Sequence, residues 1–246
     1  MLQQLKSYLG ELERLVIPME CPGCGLPDVA LCGPCTRWLR GPLQRVETQV
    51  PRLDALDGEP LLPVWALGPY TGPARGMVVA WKDKGREDLT KIYSGAAAHA
   101  LQQHRASYLF PRVDVVVPMP SSAASVRHRG RDHLSPVGKA VSGALQVPMW
   151  RALHKVSHRD QVGLSARARG KADIRVRKSA LPGAGYIPGL APEKLVPGLR
   201  VLLFDDVVTT GATLAAARDA LAAHGCDVVG ALVLAATPPR STALAA

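Results

Sequence analysis

Residues 199–221 constrain the fold most, because an uninterrupted apolar run passes there directly into two acids. Residues 201–204 are apolar throughout, which is typical of a strand buried on both faces of a parallel sheet. Asp205 and Asp206 follow, and then a loop with three threonines and a glycine leads into an alanine-rich helical pattern. Ligands of open α/β sheets bind beyond the carboxyl ends of the strands. The two carboxylates therefore predict a ligand site at the edge of a sheet.

The loop after the acids has the composition of a phosphate-binding turn. It enters a helix N-terminus, where backbone N–H groups and the helix dipole favour an anion. Gly211 allows close approach of the backbone, and the threonine hydroxyls donate further hydrogen bonds. The alternative is an ordinary acidic strand–turn–helix with Thr210 as a plain N-cap, but two adjacent carboxylates without a partner repel each other. A sugar phosphate suits this site, with the carboxylates accepting from ribose hydroxyls or helping to hold Mg²⁺. A P-loop nucleotidase is disfavoured, because the chain lacks the GxxxxGK[ST] pattern.

The periodicity of the remaining segments predicts an α/β fold with a parallel sheet and helices on both faces. The predicted strands are residues 62–67, 113–117, 200–204 and 227–236. The predicted helices are residues 2–16, 73–82, 89–105, 135–145 and 212–223. Residues 41–60 are rich in proline and acids and are predicted to be irregular.

Four cysteines near the N-terminus form a CxxC–x7–CxxC pattern: Cys21, Cys24, Cys32 and Cys35. Two such pairs at this spacing indicate a zinc ribbon or knuckle, in which metal binding supplies much of the folding energy. Because four thiolates fill the coordination sphere, the zinc is expected to be structural. Two disulfides or a redox CxxC are the alternatives, and a cytoplasmic location disfavours the disulfides.

The N-terminus predicts a cytoplasmic protein with no membrane insertion. The stretch MLQQLKSYLGELERLVIP is interrupted by charges and lacks the apolar core of a signal peptide. No run approaches the roughly 18 consecutive apolar residues that a membrane span needs.

The positive charge is concentrated in one stretch, residues 125–178. These residues include 13 Lys and Arg against 3 Asp and Glu, so they account for the whole net charge of +10. Such clustering favours an anionic partner. The alternative is a solvated surface in an arginine-rich chain, since Arg outnumbers Lys 21 to 9 and Asn is absent.

The acidic strand end and the threonine loop together resemble the phosphoribosyl pyrophosphate (PRPP) motif of type I phosphoribosyltransferases. The resemblance implies that the two acids are catalytic and contact the ribose hydroxyls, and that the following loop cradles the 5′-phosphate. It also implies displacement of pyrophosphate at the anomeric carbon, assisted by Mg²⁺. The implied PRPP-binding residues are Asp205, Asp206, Val207, Val208, Thr209, Thr210, Gly211, Ala212 and Thr213.

A four-cysteine ribbon in front of such a domain resembles the ComF family, which is associated with DNA uptake in competence. Further segments carry this resemblance: Tyr70, Gly72, Arg75, Lys82, Gly85 and Arg86; the VPMP of residues 117–120; and Arg159, Gln161, Leu164, Ser165 and Arg167. The chain departs from the family at Arg131, Asp132 and His133, where the family usually has an aromatic residue, Asn and Gln.

The resemblance implies a pyrophosphate loop after Val117 and a mobile flap over residues 154–175. It thereby implies five candidate contacts to pyrophosphate or nucleic-acid phosphates: Lys82, Arg127, Arg129, Arg159 and Arg167. The predicted parts of the chain are an N-terminal helix and zinc ribbon (1–40), a linker (41–61), a phosphoribosyltransferase-like domain (62–240) and a flexible tail (241–246).

The predicted function is that of a ComF-like protein that binds Mg-PRPP and acts in DNA uptake or nucleotide metabolism. One alternative is a non-enzymatic module for single-stranded DNA. Its binding would be driven by phosphates, because aromatic residues make up only 4% of the chain. The other is a PRPP-responsive regulator. The acceptor cannot be identified from the sequence, because the region that would recognise it, the N-terminal part or residues 179–198, carries no readable motif.

Overall fold

The computed structural model describes residues 19–53, 59–105, 110–156, 174–177 and 197–239. The predicted helix over residues 2–16, Arg159, Arg167, most of the flap, residues 179–196 and the tail lie outside the described residues. The helices are α1 (Gly33–Thr36), α2 (Gly72–Asp83), α3 (Leu89–Arg105), α4 (Ala123–Arg129), α5 (Leu134–Leu145) and α6 (Ala212–Ala222). The strands are β1 (Gln44–Arg45), β2 (Val64–Ala66), β3 (Val115–Pro118), β4 (Leu153–Lys155), β5 (Ile174–Val176), β6 (Arg200–Val208) and β7 (Asp227–Ala236).

Five strands form the central sheet in the order β1-β2-β7-β6-β3. All neighbours pair in parallel except β1, which is antiparallel to β2. The fully apolar stretches of β3, β6 and β7 supply the buried interior of the sheet, and α5 packs against β3. The prediction of an α/β fold with a parallel sheet is confirmed, and β6 lies between the central strand β7 and the edge strand β3.

β6 continues four residues beyond the predicted end at residue 204. β7 runs beside it over this length, pairing Asp205 with Val233 and Val207 with Ala235. Both acids therefore belong to the strand, because the ladder continues through them. No helix among the described residues is long and apolar enough to cross a membrane.

The segment predicted to be irregular is partly ordered. β1 pairs with β2, and Val50 and Leu53 are buried in the core. Glu47 is also buried, but its carboxylate accepts hydrogen bonds from the backbone N–H of Val64 (3.1 Å) and from Nε of Arg45 (2.8 Å). An acidic composition indicates a linker only where the acids remain solvated, and this one is satisfied internally.

Two contacts dock the cysteine segment, one on α2 and one on the turn that follows it. The Arg86 guanidinium donates to the carbonyl oxygens of Glu20 (3.0 Å) and Ala30 (2.7 Å). Gly76 packs so closely that an added Cβ would clash with the carbonyl oxygen of Pro22. The N-terminal half of α2 is therefore held by the cysteine segment, and its last turn carries Lys82.

Candidate functional site

The two acids of β6 lie in a cleft of about 220 Å³ at the carboxyl end of the strand. Its walls come from α2, from the loop and helix after β3, from β4 and from the start of α6. The lining residues are Lys82, Met119, Pro120, Ser121, Ser122, Ser125, Arg129, His133, Leu134, Lys155, Asp205, Asp206, Val207 and Thr213. We call this the acidic cleft. Its position is the one expected for a ligand site in an open α/β sheet.

Asp206 is buried and fully hydrogen-bonded. One carboxylate oxygen, Oδ2, accepts from Lys82 Nζ at 2.7 Å and from His133 Nε2 at 2.8 Å, while Oδ1 accepts from the backbone N–H of Val207 at 2.7 Å. Burial alone would raise the pKa of Asp206, but the His133 hydrogen bond and the Lys82 charge lower it to about 2. Asp206 is therefore an ionised anchor that joins α2 and the start of α5 to the end of β6.

Asp205 is in a different environment. Its Oδ1 accepts from the backbone N–H of Asp206 at 2.9 Å, and it forms no ion pair with any described residue. Burial and the neighbouring Asp206 charge raise the pKa of Asp205 to about 7. The two acids thus differ in role, since Asp206 is satisfied by the protein and Asp205 has a carboxylate available to a ligand.

The loop between β6 and α6 depends on Gly211. Its φ is +78°, and an added Cβ would lie 2.6 Å from Cγ1 of Val50 and 2.7 Å from Cγ of Leu53. The carbonyl oxygen of Thr210 also accepts from the backbone N–H of Arg52 at 2.9 Å. The segment once expected to be a linker therefore fixes the loop and directs the N-terminus of α6.

The predicted phosphate contacts fall into three groups. Lys82 and Arg129 line the acidic cleft, although the nearest partner of Lys82 is Asp206 and Arg129 Nε also pairs with Asp83 at 3.2 Å. Arg127 lines a second cavity on the other side of residues 118–121. Arg159 and Arg167 lie outside the described residues.

Among the titratable residues of the cleft, the sequence did not predict His133 and Lys155, and it did not predict the serines at positions 121, 122 and 125 either. His133 is separated from Asp206 by 73 positions, so no local pattern reports their contact. The departure from the ComF pattern at residues 131–133 was the available signal. The other two residues at this departure also hold the local structure. Arg131 donates to the carbonyl oxygen of Trp81, and Asp132 accepts from the backbone N–H of Leu134.

The four cysteines cluster as their spacing predicts. Their sulfur atoms lie within 4.8 Å of one another, and Cys32 Sγ is 3.6 Å from those of both Cys21 and Cys24. Zinc–sulfur bonds of about 2.3 Å in a tetrahedron place sulfurs about 3.8 Å apart, so the set fits Zn²⁺. The distances are far too long for the disulfide alternative, which needs about 2.05 Å. Burial and the adjacent thiols raise the pKa of Cys35, so a bound cation is needed to hold all four as thiolates.

The phosphoribosyl transferase domain family matches residues 90–243, which is more than half of the chain. The chain belongs to this family. The matched residues of the phosphoribosyltransferase domain include both acids, the threonine loop, His133 and Lys155. They leave out the cysteine cluster and α2, so Lys82 and its contact to Asp206 come from outside the match.

Solved structures similar to this chain include UMP synthase from Leishmania donovani, with 21% identity and a TM-score of 0.31 over 59% of this chain and 22% of that one. Orotate phosphoribosyltransferase from Aeropyrum pernix has 17% identity and a TM-score of 0.33, over 82% and 80% of the two chains. Adenine phosphoribosyltransferase from Leishmania donovani has 12% identity and a TM-score of 0.37, over 82% and 79%. The chain therefore spans less than a quarter of the first of these proteins. No curated protein matches it.

Substituting Asp205→Asn is expected to stabilise the ligand-free protein at pH 8, by up to about 4 kcal/mol. The folded-state pKa of Asp205 is raised, so ionisation destabilises the fold above the unfolded pKa, and the cost is complete above pH 7. The gain should therefore shrink as the pH falls from 7 and vanish near pH 4. Urea unfolding of both proteins at pH 5, 6, 7 and 8 measures it, and a gain independent of pH would contradict the assignment.

Proposed function

We propose that this chain is a ComF-like phosphoribosyltransferase that binds Mg-PRPP in the acidic cleft and acts in the cytoplasm, in DNA uptake or nucleotide metabolism. The observation that carries the proposal is the pairing of an available carboxylate, Asp205, with a threonine loop that enters the N-terminus of α6. A sugar phosphate is the ligand class that needs both, because its hydroxyls donate to a carboxylate and its phosphate accepts from a helix N-terminus.

The two acids have unequal roles in this proposal. Asp205 accepts hydrogen bonds from the ribose hydroxyls, since its carboxylate forms no salt bridge with a described residue, although the charges of Lys82 and Lys155 act on it. Asp206 positions Lys82 and His133. Its contact with the ribose is limited, because its carboxylate already accepts hydrogen bonds from these two residues. The loop of residues 207–213, with Thr209, Thr210 and Thr213, holds the 5′-phosphate.

We assign stabilisation of the leaving pyrophosphate to the basic and hydroxyl side chains that line the acidic cleft. Lys155 and Arg129 face the acids across a cleft with walls of Ser121, Ser122 and Ser125 hydroxyls. Cations and hydroxyl donors in fixed positions stabilise the charge that develops on a departing pyrophosphate. Mg²⁺, held by Asp205 and by phosphate oxygens, would supply further charge neutralisation when bound.

The ComF assignment is supported by the arrangement of the chain, in which a four-cysteine cluster docks on the helix that carries Lys82. The division into parts at residues 40, 61 and 240 stays a prediction, although Val50 and Leu53 of the middle part pack in the core. The proposal also includes a structural Zn²⁺ bound by the four cysteines of the cluster.

Binding of single-stranded DNA stays a prediction, and so does a role as a PRPP-responsive regulator. Several cations of the basic stretch are already engaged in ion pairs, since Arg129, Arg131 and Arg151 contact Asp83, Glu87 and Asp132. These pairs reduce the positive charge that the described part of residues 125–178 offers to a nucleic-acid strand.

Isothermal titration calorimetry with PRPP and Mg²⁺ tests the proposed function. We expect saturable one-to-one binding that Asp205→Asn weakens at least about tenfold, because the variant keeps the shape of the side chain and loses the charged acceptor. The matched control is Asp219→Asn, which removes an exposed carboxylate of α6 paired with Arg218. Absence of heat with the native protein, or equal affinity in the double variant Asp205→Asn, Asp206→Asn, would refute the proposal.

A further inference from the structure

A second cavity, of about 370 Å³, lies on the other side of residues 118–121. It is lined by basic side chains from α4, from β4 and from the residues that flank β4 and β5. These are Arg127, Arg151, His154, Lys155 and Arg177, with Asp132 as the carboxylate. We call it the arginine cavity. It shares Met119, Pro120, Ser121 and Lys155 with the acidic cleft, so the two cavities are neighbours separated by a single loop.

The charges of the arginine cavity do not cancel. Asp132 is engaged by Arg151, by the Ser135 hydroxyl and by the backbone N–H of Leu134. Arg127 and Arg177 form no ion pair with any described residue, whereas the Lys155 charge also acts on Asp205 of the acidic cleft. The Arg177 Nε donates to the carbonyl oxygen of Leu153 at 3.0 Å, which holds its guanidinium at the cavity wall. Two guanidinium groups without an ion pair, those of Arg127 and Arg177, thus line one cavity whose carboxylate, Asp132, is already neutralised.

A polar atom without a partner adds to this imbalance. The Nδ1 of His154 is buried and has no hydrogen-bond partner among the described residues. A buried polar atom is costly when it is unsatisfied, and like charges that converge on one cavity repel each other. An anion that accepts several hydrogen bonds would relieve the repulsion between the cations.

We propose that the arginine cavity is a second ligand site, specific for the phosphate group of a phosphorylated small molecule. Its volume lies in the range of small-molecule sites. No aromatic side chain apart from His154 lines it among the described residues, so a nucleobase would find no stacking platform there. Recognition therefore rests on phosphate contacts from the guanidinium groups, which bind phosphate oxygens in pairs. A phosphorylated small molecule satisfies these contacts without the base stacking that a nucleic-acid strand would add.

Amide chemical shifts of the zinc-loaded, ¹⁵N-labelled chain test the site with inorganic phosphate as the probe. In a first titration, phosphate alone should shift the backbone signals of Arg127, Leu153 and Arg177. In a second, saturation with PRPP and Mg²⁺ precedes the phosphate, and the same three signals should still respond. Shifts confined to residues 205–213 would overturn the inference. Failure of PRPP to move residues 205–213 would overturn the proposed function instead, so the two failures are distinguishable.

A double variant, Arg151→Gln with Arg177→Gln, assigns the binding to this cavity. We expect its phosphate affinity, read at Arg127 and Leu153, to fall by about tenfold or more, because two charge-assisted contacts are lost. The matched control is Arg112→Gln with Arg218→Gln, which removes two exposed cations outside the cavity and gives the same net charge. The PRPP affinity of each variant shows that it folds, and equal loss of phosphate affinity in both variants would refute a specific site.

A third titration uses a thymidine oligonucleotide that has no terminal phosphate. A phosphate site for small molecules predicts weaker shifts at Arg127 and Arg177 with the oligonucleotide than with inorganic phosphate at the same phosphate concentration. Stronger shifts with the oligonucleotide would overturn the inference in favour of a nucleic-acid strand.

Discussion

Substituting Gly211→Ala should destabilise the protein by about 3 kcal/mol and abolish measurable PRPP binding. Two effects act together at this position. The φ of +78° is strained for any residue with a Cβ, and the new methyl group would lie 2.6 Å from Val50 and 2.7 Å from Leu53. Both neighbours are buried in the core, so neither can move aside without opening a packing defect. The loop between β6 and α6 would shift away from the position that holds the 5′-phosphate.

Gly198→Ala is the matched control for the backbone strain. Its φ is +81°, but an added Cβ meets nothing within 4 Å. This variant should lose about 1 kcal/mol and should bind PRPP as the native protein does. Urea unfolding gives the two stabilities, and calorimetry gives the two affinities. Equal destabilisation by both variants would show that residues 50–53 do not clamp the loop.

The packing behind Gly211 also shows where prediction from the sequence ends. The apolar stretches of β3, β6 and β7 were readable, because a strand buried on both faces needs an unbroken apolar run. The residues that hold the loop from behind were not, because Val50 and Leu53 lie in a stretch whose acids and prolines resemble those of a linker. Glu47 adds to this resemblance, because its burial depends on the backbone N–H of Val64, a hydrogen-bond donor that only the fold brings near.

Helix α4 was missed for a different reason. None of its seven residues is buried, so no apolar periodicity marks it in the sequence. It forms because Ser122 caps it, accepting from the backbone N–H of Ser125 at 3.0 Å, and because Gly130 ends it at a φ of +70°. The helix places Arg127 and Arg129 on different cavities, which spacing alone did not separate.

The residues of the candidate site also differ in how far the sequence could predict them. Asp205, Asp206 and the threonine loop are contiguous in sequence, so a motif could report them. The contacts that give the two acids different protonation behaviour are not contiguous, because Lys82 comes from α2 and His133 from the start of α5. Long-range packing therefore decides which acid is available to a ligand, although the sequence already identifies the pair.

Removing the metal from the cysteine cluster is expected to unfold residues 19–35 and to loosen α2. Metal-binding free energy in four-thiolate sites is folding free energy, of the order of 10 kcal/mol, and this short segment has little other core. α2 would then lose the close packing of Gly76 on Pro22, and Arg86, three residues after α2, would lose its two carbonyl acceptors. Because Lys82 lies in the last turn of α2, its contact to Asp206 should weaken as well.

Hydrogen exchange before and after treatment with a chelator measures this effect without relying on activity. Exchange should rise over residues 19–35 and 72–83 and stay unchanged in β6 and β7, whose ladder is independent of the cysteine segment. Cys32→Ser should reproduce the pattern with about one equivalent less zinc, whereas Cys226→Ser, a buried cysteine outside the cluster, should keep the metal. If the cysteine cluster is needed only for its own fold, α2 will exchange at the native rate after chelation. If it supports the acidic cleft, PRPP affinity will fall together with the protection of α2, because the cysteine segment, α2, Lys82 and Asp206 form one continuous set of contacts.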